Sequence, residues 1–387
     1  MALSAEAAMP ARSLAERWMG LRNRLIASPR FQRWAAASPL TRHMAKRRAK
    51  ALFDLCAGFV YSQVLLSCVR LRLFDLLAQG PRDVASLCGP LALGPDAARR
   101  LLRAAASLKL IRALPGERYA LDDLGAALLG NPSVGDFVEH HALLYADLAD
   151  PVALLRGEAK TRLSRFWPYA GDRPGGASAA AADGAAEADF AAYGALMSRS
   201  QALVAQDILD AYPLRAHRTL LDVGGGEGAF VAAAAARAPR LALQLFDLAP
   251  VAARAKARLA AAGLDSRVAV FAGSFLVDAL PRGADVIAFV RILHDHDDES
   301  ALAALRAAYA ALPVGGVVLV AEPMSGAPGA EAVGDAYFGF YLLAMGRGRA
   351  RTPAELASLL TQAGFSSPRA IRTRRPLLTG LIFARRV

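Results

Sequence analysis

The chain has 387 residues, a formal net charge of +12, 55% hydrophobic residues and three cysteines. A length of this order suits two domains with an extension, and the apolar content is too high for disorder throughout. Cys56, Cys68 and Cys88 are few, odd in number and set in apolar helical patterns, which argues against a disulfide framework and for a reducing compartment. No run of eighteen apolar residues is free of charge, so no membrane-spanning helix is expected. The start lacks a charged segment followed by an apolar one, so no secretory signal is expected either.

Residues 1–50 read as a basic arm. They hold eleven Lys and Arg against Glu6 and Glu16, a net +9 that leaves only +3 for the other 337 residues. Within the arm Leu14, Trp18, Leu21 and Leu25 recur at three- and four-residue steps, with Arg17, Arg22 and Arg24 around them. That pattern is a cationic amphipathic helix, suited to an anionic membrane surface or to docking on a partner subunit or on its own domain.

Residues 51–135 read as three helices and a hairpin. A helical pattern runs through Val60, Val64, Leu71 and Leu76, and Val84–Leu87 follows. After a turn at Gly94–Pro95 come a helix from Asp96 to Lys109 and a hairpin over Ile111–Leu121 around Pro115–Gly116. This order describes a winged helix. If it read DNA, Arg99, Arg100 and Arg103 would enter the major groove; otherwise Leu101, Leu102, Ala105 and Leu108 pack a core and the arginines are solvated. Residues 136–170 are helical and aromatic, with His140, His141, Tyr145, Phe166, Trp167 and Tyr169. Residues 171–189 are low in complexity and read as a flexible connector, and a helix with Tyr193, Met197 and Val204 follows. The expected divisions are therefore an arm at 1–50, a helical region at 51–190 and a second domain at 191–387.

From Thr219 the pattern changes to alternating strands and helices. Strands are expected at Leu220–Val223, Leu241–Asp247, Val268–Ala272, Asp285–Val290, Val317–Glu322 and Leu377–Ala384. Thr352-Pro353-Ala354-Glu355 is a capping box that opens a helix ending at Gly364. Such alternation implies an open, mostly parallel α/β sheet of Rossmann-like type.

Two motifs carry chemistry. Asp222-Val223-Gly224-Gly225-Gly226-Glu227-Gly228 leaves a buried strand and opens an Ala-rich helix, where glycines admit a ligand to the backbone. Asp247 ends the next strand, where an acid can bind both ribose hydroxyls. Gly224-x-Gly226-x-x-Ala229 also satisfies a nicotinamide fingerprint. Three features favour S-adenosyl-L-methionine: Asp222 two residues before the first glycine, the motif's place behind a helical region, and the extra terminal strand. The second cluster, Arg291 to Asp298, follows the fourth strand and so faces the ligand crevice. A metal site is not expected, because His294 and His296 are the last of six histidines. His294 is the candidate general base, with Glu322 at the end of the next strand to orient its imidazole.

Residues from about 51 to 387 resemble the winged-helix-containing, S-adenosylmethionine-dependent O-methyltransferases that act on small molecules. The resemblance rests on L-D-V-G-G-G-E-G at 221–228, F-D-L at 246–248, G-S-F at 273–275, I-L-H-D at 292–295 and V-A-E at 320–322. It implies a class I methyltransferase sheet, an N-terminal mainly helical domain that dimerises and closes over substrate without reading nucleic acid, and a cytoplasmic homodimer. It implies His294 as base, Glu322 as one of two flanking acids, and Asp222, Gly224, Gly226, Gly228, Asp247, Ser274, Phe275 and Arg291 at the cofactor. The chain departs from the pattern at Ser274, where the family has an acid, at His296, where it has Trp, and at Val290, where it has Lys. The second flanking acid falls near Ala350 and is absent. Within the family, H-H-A-L-L-Y-A-D-L-A-D-P at 140–151 and S-R-F-W-P-Y-A at 164–170 are similar to bacterial enzymes that methylate the 1-hydroxy group of acyclic carotenoids of the hydroxyneurosporene or demethylspheroidene type. Such a small apolar acceptor would give the arm a reason to touch an anionic membrane. Phenolic, polyketide and bacteriochlorophyll-pathway acceptors stay open, as does a winged-helix regulator with a vestigial ligand domain.

Overall fold

The computed structural model describes residues 13–166 and 201–387. The chain forms two compact units, Met1–Ala127 and Leu128–Val387.

The first unit opens with α1 (Leu14–Ala27), α2 (Pro29–Ala37), α3 (Arg42–Arg70) and α4 (Leu73–Ala78). Ser13 and Glu16 close a capping box on α1, which buries none of its residues, so the Leu14–Trp18–Leu21–Leu25 stripe lies fully on the surface. The expected boundary at residue 50 does not exist: α3 begins at Arg42 and runs unbroken through it. The run from Ala51 to Cys68 contains one charge, Asp54. Contrary to the sequence expectation, α3 is therefore long and apolar enough to cross a membrane by length and composition. The helical pattern expected through Leu76 instead breaks at Arg72, which adopts φ +53° between α3 and α4.

β1 (Arg82–Asp83), α5 (Val84–Leu91), α6 (Pro95–Ser107), β2 (Ile111–Leu114) and β3 (Arg118–Leu121) complete this unit. The hairpin pairs antiparallel as expected, with β1 added to its other edge in the order β1-β3-β2. Ala98, Leu102 and Ala105 of α6 are buried. Arg99 lies 3.3 Å from Glu117 in the hairpin turn and Arg103 3.9 Å from it. Two of the three arginines a DNA reader would need are thus engaged by their own hairpin.

The chain enters the second unit through α7 (Asp123–Leu129), followed by α8 (Pro132–Asp147), α9 (Pro151–Leu155) and α10 (Leu163–Phe166). Sequence alone placed this stretch with the first unit. It belongs to the second because Leu144, Leu154 and Leu163 pack with Tyr341, Leu342 and Met345 in one apolar cluster. The expected connector at 171–189 lies outside the described residues, as do Trp167, Tyr169, Tyr193 and Met197.

A helix over residues 201–211, α11, precedes β4 (Thr219–Val223), α12 (Ala229–Arg237), β5 (Ala242–Asp247), α13 (Ala249–Ala261), β6 (Val268–Ala272) and β7 (Val286–Val290). Then come α14 (Asp298–Ala311), β8 (Val317–Glu322), α15 (Gly339–Met345), α16 (Pro353–Gln362), β9 (Ser366–Ile371) and β10 (Gly380–Arg385). The seven strands are ordered β6-β5-β4-β7-β8-β10-β9, parallel except for β10, which runs antiparallel between β8 and β9. Every residue of β7 and β8 is buried, as a sheet covered on both faces requires. One core includes Leu305, Leu356 and Leu360 of α14 and α16, and the other includes Ile208, Phe230 and Leu259 of α11, α12 and α13.

β9 is a strand that the sequence reading missed. Pro368 removes a ladder donor, and β9 accordingly sits at the sheet edge. β10 starts three residues later than expected, because Leu378 donates to the Arg375 carbonyl in a turn and the Arg375 side chain is held by Asp207. The strand order reverses between β4 and β7, whose ends pair at Val223 and Phe289. The crevice outside such a reversal is where open α/β sheets bind ligands.

Candidate active site

Both motifs emerge at this reversal. Beyond Val223 the chain turns through Gly224, Gly226 and Gly228, at φ +69°, +56° and +84°, into α12. At Gly224 the requirement is doubled, since a Cβ there would meet Ile292 Cδ1 at 2.5 Å. Only glycine combines that backbone with so close an approach of the loop after β7.

Asp247 holds this turn. Its Oδ2 accepts the Gly226 N–H at 2.8 Å and its Oδ1 the Leu248 N–H at 2.7 Å. A carboxylate oxygen has two lone pairs, so capacity for a ribose diol is left. Asp222 is buried beside it with both carboxylate oxygens lacking a protein hydrogen bond. Burial first, and then the Asp247 charge, push its pKa well above the ordinary carboxylate range. A buried acid without a partner is costly. An approaching cationic amino acid group would relieve it, so the residues present fit S-adenosyl-L-methionine. The Gly273 amide donates to the Asp247 carbonyl at 2.9 Å, which brings Ser274 and Phe275 to the same sheet edge. Ser274 donates its own amide to Asp278 Oδ2 at 2.8 Å, and Phe275 meets His296 edge-on at 5.2 Å.

The loop that carries the candidate base starts at Arg291, at φ +60°, whose backbone N–H donates to the Ala321 carbonyl on β8 at 2.8 Å. A single 3-10 turn, Leu293–Asp295, presents His294, which is 4% exposed. Glu322 Oε1 accepts the His294 backbone N–H at 3.0 Å and stands 3.7 Å from its Nδ1, beyond hydrogen-bond reach. Glu322 therefore meets His294 through its backbone amide and through the field at its ring. Asp295 Oδ1 lies 3.2 Å from His294 Nε2. The sequence reading gave Asp295 no role, although it adjoins the base. Burial opposes the imidazolium, but Asp295 and Glu322 together outweigh it and hold the His294 pKa above its usual value. Burial raises the Asp295 carboxyl to about 6.

His294, Asp295 and Arg291 line a narrow recess walled by Phe137, Tyr337 and Tyr341. Arg291 lines the same recess as His294. The residues 332–338 coil as π-helical turns before α15, and Phe338 from them meets His294 edge-on at 6.1 Å. His140 bonds Tyr341 at 2.7 Å and His141 bonds Tyr337 at 2.9 Å. Burial lowers the pKa of both histidines, that of His140 to about 4, so these two pairs are neutral. The other segment likened to carotenoid enzymes, 164–170, lies largely outside the described residues.

Residues 145–366 match the family described as the O-methyltransferase domain, and residues 53–131 match the O-methyltransferase dimerisation domain. The chain belongs to the O-methyltransferases. It is 44% identical over 362 residues to the demethylspheroidene O-methyltransferase of Cereibacter sphaeroides, covering 93% of each chain. Against the Rhodobacter capsulatus demethylspheroidene O-methyltransferase it is 40% identical, covering 94% of this chain and 88% of that one. The structure of human N-acetylserotonin methyltransferase in complex with S-adenosylmethionine superimposes with a TM-score of 0.71 at 24% identity, covering 88% of this chain and 97% of that one. The dimerisation match begins within α3, whose exposed Leu52, Leu55 and Phe59 form an apolar surface. An O-methyltransferase accounts for the glycine turn and the histidine base together.

Proposed function

We propose that this enzyme transfers a methyl group from S-adenosyl-L-methionine to the 1-hydroxy group of an acyclic carotenoid. The carrying observation is the His294–Asp295 pair lining a recess walled by aromatic rings, with Glu322 beside the histidine. The 44% identity to a demethylspheroidene O-methyltransferase supports the carotenoid end of this reading.

Asp247 would hold the ribose, Asp222 the amino group, and the amides of the glycine turn the remaining polar edge. The bound cofactor supplies an electrophilic methyl group on sulfur. His294 Nε2, on the side of recess-lining Asp295, takes the hydroxyl proton. A tertiary alcohol is too weak an acid for prior deprotonation by histidine, so proton removal and C–O bond formation are concurrent. Glu322 and Asp295 stabilise the imidazolium as it forms, while the aromatic wall excludes water and aligns the acceptor.

The apolar surface of α3 and the exposed stripe of α1 support a homodimer in which the arm covers its partner. An anionic leaflet is the second occupant the stripe suits. Removing residues 1–41 should weaken the dimer, seen by light scattering as dissociation at a higher protein concentration. Retention of the dimer with loss of salt-sensitive vesicle binding would favour the leaflet.

The acceptor is tested by incubating the enzyme with methyl-labelled cofactor and detergent-dispersed acyclic hydroxycarotenoids, phenols or chlorophyllides. Label on the carotenoid tertiary ether is the expected result. Label on phenols or chlorophyllides alone would overturn the acceptor while leaving methyl transfer intact.

A further inference from the structure

We infer that Arg351 is a positioning residue for the catalytic base, clamping the backbone of the short loop that carries it. The position where that acid is missing, Ala350, is followed by the bulkiest fully buried side chain among the described residues, Arg351. Its Nη1 donates to the Leu293 carbonyl at 2.7 Å and its Nη2 to the His296 carbonyl at 2.8 Å. Its Nε donates to Asp298 Oδ1 at 2.8 Å. The two carbonyls bracket His294, so one rigid planar fork fixes both ends of the turn that presents the base.

The neighbouring backbone completes the clamp. At Gly348, φ is +79° and a Cβ would meet the His294 carbonyl oxygen at 2.2 Å. The segment therefore lies directly on the backbone of the base, and only glycine permits it. Arg349 ties Asp298 to Glu355, the acid of the capping box on α16. The Ser325 amide bonds the Arg351 carbonyl at 3.0 Å, three residues beyond Glu322. Through these contacts the start of α16, the start of α14 and the end of β8 all bear on one short loop.

A buried guanidinium is expensive, and its acidic partner Asp298 is half exposed. Apolar residues of similar volume would fill the space more cheaply. Its geometry has a use: an imidazole must sit within a fraction of an ångström of its productive place. Arg351 bonds the backbone on either side of His294, while Asp295, Glu322 and Arg291 act on its ring. It acts on where the ring sits in that field.

This inference rests on His294 being the base, and the test separates the two. In Arg351→Met, kcat should fall about 10- to 100-fold with KM and S-adenosylhomocysteine affinity within about threefold of wild type. The ring leaves the field of Asp295 and Glu322, so the acid limb of kcat and the NMR titration of the His294 imidazole both move to lower pH. Arg351→Lys, which reaches fewer acceptors, should recover part of kcat and part of the titration shift. If Arg351→Met does not fold, Asp298→Ala decides. It should show a smaller loss of kcat with the same direction of titration shift. An unchanged His294 titration in a folded variant, or parallel loss of kcat and cofactor affinity, overturns the role. Near-native turnover in His294→Ala would instead end the reading of His294 as base.

Discussion

The proposed cofactor turn at Gly224–Gly228 and the loop of the proposed base at Arg291–Asp298 leave adjacent strands of one sheet, yet they are held over different sequence distances. Three glycines shape the turn from within, and Asp247, 21 residues away at the end of the next strand, pins it. The base loop has one strained residue of its own, Arg291. Its other restraints come from Glu322, 28 residues on, and from Arg351, 58 residues from the carbonyl it holds. A phosphate- or nucleoside-binding turn needs backbone approach, which local sequence can encode. A base needs a fixed ring in a fixed field, which only remote groups can supply.

Substitutions on the two sides should therefore fail differently. The largest effect belongs to the loop: His294→Ala should lower turnover by about two to four decades while S-adenosylhomocysteine affinity stays nearly native by calorimetry. Next comes Asp247→Ala, which removes the proposed ribose acceptor and the acceptor of the Gly226 and Leu248 amides. It should weaken S-adenosylhomocysteine binding by about 1.5–3 kcal/mol, with the fold retained by circular dichroism. If the two variants lose activity and affinity in the same proportion, the two sides are not separate devices.

Acid sensitivity should belong to the base side, where the buried histidines are. His140 has a folded pKa of about 4, below its unfolded value, so the unfolded chain binds more protons between them. Stability is then lost as pH falls from about 6.5 toward 4, with about 2 kcal/mol gone at pH 5. Replacing both partners, in His140→Phe with Tyr341→Phe, removes the buried hydrogen bond cleanly. The double variant should match wild type at pH 7 and exceed it at pH 5 in urea melts. Equal acid sensitivity would move the effect elsewhere. The smallest change is expected from Glu322→Gln, which keeps the amide bond to His294 but removes a charge. Turnover should fall about tenfold, and the acid limb of kcat/KM should move to lower pH, since a charge that raises the His294 pKa is gone. A shift to higher pH would show that Glu322 does not support the imidazolium.

The misreadings share a cause. β9 was hidden because Pro368 breaks a strand pattern, and only the sheet edge makes that proline tolerable. Residues 128–166 carry helical patterns that fit either unit, and their apolar partners in α15 lie nearly two hundred residues away. The reading of α1 as an amphipathic helix agrees with its capping box and its exposed stripe, but not the boundary at 50, because composition changes there while the helix does not. Asp295 was legible as a neighbour of the base. Its 3.2 Å approach to Nε2 depends on a 3-10 turn that no periodicity announces.

The amino-acid sequence by itself determined the parallel sheet, the glycine turn with its acid at the next strand end, and the histidine after the fourth strand. Those features rest on short-range rules: strand–helix alternation, the freedom of glycine, and the direction in which parallel strands deliver their loops. Tertiary structure alone decided that Glu322 holds His294 by its backbone, that Asp295 faces its ring, and that Gly348 and Arg351 carry its loop. Each of these depends on distances of about 3 Å between segments far apart in the chain, and packing sets such distances where residue order does not.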